Sequence, residues 1–206
     1  MKKFIGIFCI ISIALVLLIS NDYSSHFKVD NSINNLNTIH PETYMIREKN
    51  YFDYQSGLEC AAFSSAYILR YFGEKADGVE LFKNFPGKVS DGGVSPYGIV
   101  KFFQSRGYKA EFKCNGTIEE LKMEVSKGIP VIVFIRVNEQ ELGTHYIPLV
   151  GYDKDYFYFA ESLPYMANYK DEEGLPYNRK IEISEFKKLW YNIDGRWNYP
   201  YFIISN

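Results

Sequence analysis

From residue 44 onward the hydrophobic pattern changes period once. Ala61, Ala62, Ala66, Leu69 and Phe72 recur at helical spacing over Cys60 to Phe72, and Gly73 follows as a stop. Val79 to Phe85 predicts a second, short helix ended by Pro86. Ser95-Pro96, an N-cap followed by proline at the first helical position, predicts a third helix that runs to Arg106 and stops at Gly107. Beyond it the apolar positions alternate. Lys109 to Lys113 reads as a strand, and Thr117-Ile118-Glu119-Glu120 as a capping box for a helix ending near Gly128. Pro130 to Val137, apolar and β-branched, predicts a buried strand, and His145 to Tyr152 another. Tyr156 to Ala160 is a third, joined to it by the turn at Asp153-Lys154-Asp155. Residues 163 to 177 read as a long surface loop and Lys180 to Ile183 as a strand. Ser184 caps a helix through Trp190, and Tyr199 to Ile204 is the last strand. Tyr44 to Ile46 is a short extended piece at the entrance. Helices first and strands later imply an α+β domain, N-terminal helices packed on an antiparallel sheet.

The first 43 residues follow neither pattern. Lys2 and Lys3 precede an uncharged apolar run from Phe4 to Ile19, so residues 1–20 read as a signal peptide or N-terminal membrane anchor. Residues 21–43, rich in Asn, Ser and Asp, read as a polar linker. The folded domain is then 44–206, on the extracellular side of the membrane, secreted or tethered, with the N-terminal segment as its one membrane contact. The 206 residues suit one such domain and a leader. A net charge of −2 and the lack of a basic run argue against nucleic acid as a partner. Tyr and Phe are abundant, 18 and 16, which suits an aromatic core or a peptide groove.

Few residues remain for chemistry. Cys9 lies in the leader, leaving Cys60 and Cys114, which in an exported domain can also form one disulfide. His26 and His40 sit in the polar arm and read as solvated; His145 opens a strongly apolar strand. Cys60 opens a helix, where unpaired N–H groups favour a thiolate. A nucleophilic thiol needs a base, and His145 is the candidate imidazole. A base needs a third group to fix its ring tautomer. If Tyr156 to Ala160 pairs with the histidine strand as a hairpin, Glu161 returns beside His145. Gln55, just ahead of the helix, supplies an amide N–H for an oxyanion, with the Cys60 N–H as the second donor. Two cysteines and one well-placed histidine make no zinc spacing, so neither metal nor cofactor is expected.

Gln55-x-x-x-x-Cys60 at a helix start resembles the papain-like bacteriocin-processing (double-glycine) peptidases, family thirty-nine of the cysteine peptidases, and their stand-alone relatives. Gly93-Val94-Ser95-Pro96-Tyr97-Gly98, Thr117 to Lys122 leading into Gly128-Ile129-Pro130-Val131-Ile132-Val133, and His145-Tyr146 through Gly151-Tyr152 are similar to that family as well. So is the ending with Glu185-Phe186 and Trp190, and the resemblance covers roughly residues 50 to 204. It implies a papain-like fold, with Cys60 as nucleophile, His145 as base and acid, and Gln55 in the oxyanion hole. Two positions depart from the pattern. The usual Asp-Pro of the orienting residue is Glu161-Ser162, and the usual Cys-Gly is Cys60-Ala61. The chain also lacks the Gly-x-x-x-x-Gly-Lys-Ser/Thr phosphate loop of the exporters that carry such peptidases, so leader processing beside a transporter is not implied.

The expected function is an exported cysteine peptidase that hydrolyses a peptide or protein substrate through a Cys60 acyl-enzyme. Two alternatives stay open on the residues alone. One is an acyltransferase or amidase using the same Cys–His site; the other is an inactive papain-like binding domain, which a Cys60–Cys114 disulfide would favour. The sequence does not speak to oligomeric state.

Overall fold

A computed structural model describes residues 40–140, 143–169 and 174–206. The proposed leader, and the linker up to residue 39 with His26, lie outside the described residues. The described residues form five helices and seven strands.

The strands are β1 (Tyr44–Met45), β2 (Lys109–Lys113), β3 (Val131–Arg136), β4 (Thr144–Tyr152), β5 (Tyr156–Phe159), β6 (Arg179–Glu182) and β7 (Tyr201–Ser205). They form one sheet in the order β2-β7-β3-β4-β5-β6, with every neighbouring pair antiparallel. β1 pairs with the end of β4 beyond the reach of β3, Tyr44 opposite Tyr152. The helices are α1 (Cys60–Tyr71), α2 (Gly78–Lys83), α3 (Pro96–Gln104), α4 (Ile118–Ser126) and α5 (Ile183–Trp190). The α+β class expected from the pattern is what forms.

The local rules act where the sequence placed them. The Thr117 hydroxyl and the Glu120 carboxylate form a reciprocal capping box on α4. Pro96 stands at the first turn of α3, where a missing N–H costs nothing. Gly73 and Gly107 take positive φ after α1 and α3. β4 is buried from His145 to Tyr152, as a strand covered on both faces must be. Val131, Val133 and Ile135 of β3 and Ile147 and Leu149 of β4 join Tyr67 of α1, Leu121 and Val125 of α4 and Phe186, Leu189 and Trp190 of α5 in the main core. Residues of the other parity make a second apolar layer, in which Phe134 stacks on Tyr146 at 4.2 Å and Phe202 meets Tyr146 edge-on.

Three expectations need correction. Ser184 does not cap the last helix: the chain turns from β6 straight into α5 with Glu182 at the N-cap, and the Ser184 hydroxyl bonds the Glu182 carboxylate at 2.6 Å. The last strand begins at Tyr201, because Tyr199 has φ +51°, a left-handed conformation that no strand accommodates. His40 is not merely solvated. Its ring meets Tyr152 edge-on and its Nε2 contacts Glu119, so the chain is already docked on β4 and α4 at that point.

Candidate active site

Cys60 is the first residue of α1, and the loop ahead of it folds on itself. Gln55 Nε2 donates to the Gly57 carbonyl at 2.7 Å, and the Gly57 N–H donates to Glu59 Oε2 at 2.7 Å. The Glu59 carbonyl accepts from the N–H groups of Ala62 and Phe63. The N–H groups of Cys60 and Ala61 are thus among the first-turn donors that have no acceptor inside the helix. α1 is seated on β4, where the buried Ser64 hydroxyl donates to the Tyr146 carbonyl at 2.8 Å. That contact brings the helix start to the end of β4 that carries His145.

His145 lies opposite Ile135 on β3 and is only 1% exposed. Its Nε2 is 2.7 Å from Glu161 Oε1, and the Cys60 side chain lies close enough to raise the ring's affinity for a proton. The hairpin explains how Glu161 arrives. β5 returns antiparallel to β4, with Phe159 opposite Leu149 and the Ala160 N–H bonded to the Pro148 carbonyl, so the next residue comes alongside the start of β4. A register shift between Leu149 and Gly151 adjusts that approach.

Glu161 is buried with both carboxylate oxygens engaged. Oε1 receives His145 Nε2 and the Leu163 N–H, and Oε2 receives Arg179 Nη1, each at 2.7 Å. Asn178 holds the Glu161 backbone at both ends: its Oδ1 accepts from the Glu161 N–H at 2.6 Å and its Nδ2 donates to the Glu161 carbonyl at 2.9 Å. Ser162 ties this segment to the oxyanion candidate. Its hydroxyl donates to Gln55 Oε1 at 2.6 Å, and its carbonyl accepts from the Gln55 N–H at 2.9 Å. The amide orientation follows from the partners: the Gly57 carbonyl only accepts, so the atom facing it is nitrogen. The cavity behind Glu161 measures only about 10 Å³, room for at most one water. A far larger one, about 670 Å³, opens between β1 and the β4–β5 turn and shares no lining residue with this cluster.

The electrostatics follow from burial and pairing. Burial alone would strip the proton from His145, but the Glu161 carboxylate and the hydrogen bonds to Cys60 and Glu161 outweigh it and raise the ring to about 9. Burial would likewise neutralise Glu161, yet the His145 charge, its hydrogen bond and then Arg179 hold the carboxyl well below its usual range. Burial raises the Tyr146 phenol strongly, with the Cys60 charge adding to it; the phenol donates to the Val94 carbonyl at 2.9 Å. Cys60 and Cys114 are both free thiols, and burial lifts Cys114 to about 11. The disulfide alternative is therefore absent from this fold.

The structure thus brings Cys60, His145 and Glu161 together and places Gln55 against Ser162, the residue after Glu161. Sequence reasoning missed Arg179 and Asn178, and saw Ser162 only as a departure from a pattern. Arg179 had one visible cue: it shares strand parity with Ile181, so a charge stands at an inward position.

The model of the Peptidase_C39 like family matches residues 43–196. The chain belongs to that family. Among solved structures, one described as a C39-like peptidase from Bacillus anthracis is 18% identical over 81% of this chain and 98% of its own, with a TM-score of 0.61. The peptidase domain of Streptococcus ComA, a bi-functional ABC transporter involved in a quorum sensing pathway, is 13% identical over 75% of this chain and 96% of its own, TM-score 0.54. A double glycine motif protease from an AMS/PCAT transporter, in complex with the leader peptide, is 19% identical over 81% of this chain and 98% of its own, TM-score 0.50. At these identities the likeness establishes the papain-like C39 fold. No curated protein matches the chain. The Glu161-Ser162 departure now has surroundings in the C39-like fold: Glu161 reaches His145 with Arg179 on its second oxygen, and Ser162 supplies a hydroxyl to Gln55.

Proposed function

We propose that this C39-like protein is an active, exported cysteine peptidase in which Cys60 is the nucleophile, His145 the general acid and base, Glu161 the orienting carboxylate and Gln55 an oxyanion donor. The observation that carries the proposal is the buried imidazole, bonded through Nε2 to Glu161 at 2.7 Å, with the Cys60 side chain near enough to act on it. Because Glu161 and its bonds raise the proton affinity of the ring, His145 takes the Cys60 proton and the sulfur attacks as a thiolate. The thiolate adds to the peptide carbonyl. The resulting oxyanion takes the Cys60 N–H and the Gln55 Nε2 hydrogen not used by Gly57. His145 then gives its proton to the departing amine as the C–N bond breaks, leaving a thioester on Cys60. With the thiolate charge gone, the ring loses one source of its raised proton affinity and now accepts a proton from water. The hydroxide so formed adds to the thioester, and the C–S bond breaks to release the acid and restore the thiolate.

A peptide substrate is supported by the fold-level neighbour that holds a leader peptide. Export is supported by Lys2 and Lys3 ahead of the apolar run Phe4 to Ile19. The test is to incubate the full chain with a mixed peptide pool in water enriched in oxygen-18 and read new termini by mass spectrometry. New carboxyl termini carrying one heavy oxygen are expected, and both Cys60→Ala and His145→Ala abolish them. Termini that persist in Cys60→Ala overturn the proposal; products capped by an added amine in place of heavy oxygen identify acyl transfer.

A further inference from the structure

The geometry points to Arg179 as a positioning residue for the reaction: it holds the second carboxylate oxygen of Glu161, and so keeps that carboxylate charged and fixed against His145. This rests on the peptidase assignment above and concerns the same site.

Glu161 carries three hydrogen bonds, and they are unequally shared. Oε1 has the imidazole and the Leu163 N–H, whereas Oε2 has Arg179 alone among the described residues. The Arg179 side chain is only 7% exposed, and that of Glu161 is fully buried. Without Arg179, Oε2 is left with no donor among the described residues. A buried carboxylate left with an unpaired oxygen takes up a proton or turns away. Either outcome removes the negative charge from beside His145.

The position of Arg179 is set by the pairing of β6 with β5. It opens β6 opposite Phe159, two residues before Glu161 on the neighbouring strand, and points to the same side of the sheet as the buried Ile181. Asn178, its chain neighbour, clamps the Glu161 backbone. The thioether sulfur of Met166 lies 3.7 Å from the same Nη1. Asn178, just ahead of β6, and Arg179, its first residue, therefore bring two consecutive side chains to one residue, one to its backbone and one to its charge. A glutamate reaches one methylene further than an aspartate and has one more rotatable bond to immobilise. A guanidinium on its far oxygen removes that freedom. The row then runs from the imidazole through the carboxylate to the guanidinium.

The test follows the His145 ring by NMR through a pH titration of the full chain, alongside the rate of Cys60 alkylation by iodoacetamide. In Arg179→Met the His145 midpoint is expected to fall by a unit or more toward the ordinary histidine value. Alkylation at pH 6 is expected to slow about tenfold, the size of coupling seen between members of one buried network. Arg179→Lys, which keeps a charge but offers no planar fork, should recover most of both, and it carries the comparison if the methionine variant does not fold. In the Glu161→Gln background the same substitution should change the His145 midpoint by less than 0.3 units (about twofold), since no carboxylate is left to hold. The inference is overturned if the midpoint stays put or rises in folded Arg179→Met, or if Arg179→Lys behaves as the methionine variant does. It is equally overturned if the effect persists with Glu161→Gln. Failure of the peptidase assignment looks different: Cys60 would then alkylate no faster than an ordinary thiol in the unsubstituted chain.

Discussion

Replacing Glu161 by Gln tests the buried network directly. The side chain keeps its shape and loses one charge. Its single oxygen can still accept from His145 Nε2 and the Leu163 N–H, both now at 2.7 Å from Oε1. Its new NH2 then faces Arg179 Nη1, a donor against a donor, in place of the 2.7 Å ion pair. Arg179 becomes a buried cation without its counter-ion. Removing one partner of such a pair costs roughly 3–5 kcal/mol. At about 2–4 °C of Tm per kcal/mol for a chain of this size, the expected loss is about 6–20 °C at neutral pH. The pH dependence follows from the shifts. Glu161 is lowered from 4.5 to about 2, so its contribution is complete above 4.5 and disappears as pH falls through 2. His145 is raised from 6.5 to about 9, so its share is complete below 6.5 and is lost as pH rises through 9. The gap between the two proteins should therefore be widest between about pH 5 and 6.5 and should narrow on both sides, more completely in acid. Thermal unfolding by circular dichroism across pH 2.5 to 9.5 measures it. A Tm loss under about 3 °C at pH 6, or a gap that does not change with pH, would refute the reasoning.

Other outcomes are expected from the same geometry. Ser162→Ala removes the hydroxyl that fixes Gln55 Oε1 at 2.6 Å; kcat for a peptide found in the cleavage assay should fall by about tenfold with KM little changed and a stability loss of about 1 kcal/mol in urea. Gly98→Ala would put a methyl group 2.3 Å from the Pro86 carbonyl oxygen and 2.7 Å from Val94 Cγ1, so a rigid turn must move and Tm should drop by a few degrees, in line with an overpacking cost of about 1–3 kcal/mol. Cys114, lifted to about 11 by burial, should alkylate slowly at pH 7, and Cys114→Ser should leave the Cys60 rate unchanged by mass-spectrometric mapping.

What could be read from the chain divides along a physical line. The β4–β5 hairpin was legible because its turn, its two apolar runs and its functional ends lie within one short segment; the juxtaposition of His145 and Glu161 follows from antiparallel return alone. The capping box at Thr117 and the start of α1 at Cys60 were legible for the same local reason. Arg179 and Asn178 were not, because β6 is separated from β5 by a long loop and the strand was expected to begin one residue later, at Lys180. That single residue hid the inward parity of Arg179. The insertion of β7 between β2 and β3 is likewise set by tertiary packing and leaves no mark on the local pattern. Ser184 misled because serine is a good cap in isolation, whereas here the chain enters α5 directly from a strand. His40 misled because a polar arm reads as solvated until a tyrosine and a glutamate from elements over seventy residues away are placed beside it.

The central claim is that His145 activates Cys60 as a nucleophile, and alkylation rates measure it most directly. Cys60 in the full chain should react with iodoacetamide at pH 7 at least about tenfold faster than a cysteine in a short peptide, and His145→Ala should remove that advantage. A Cys60 rate no higher than the peptide's, or one that His145→Ala leaves unchanged, would contradict the claim.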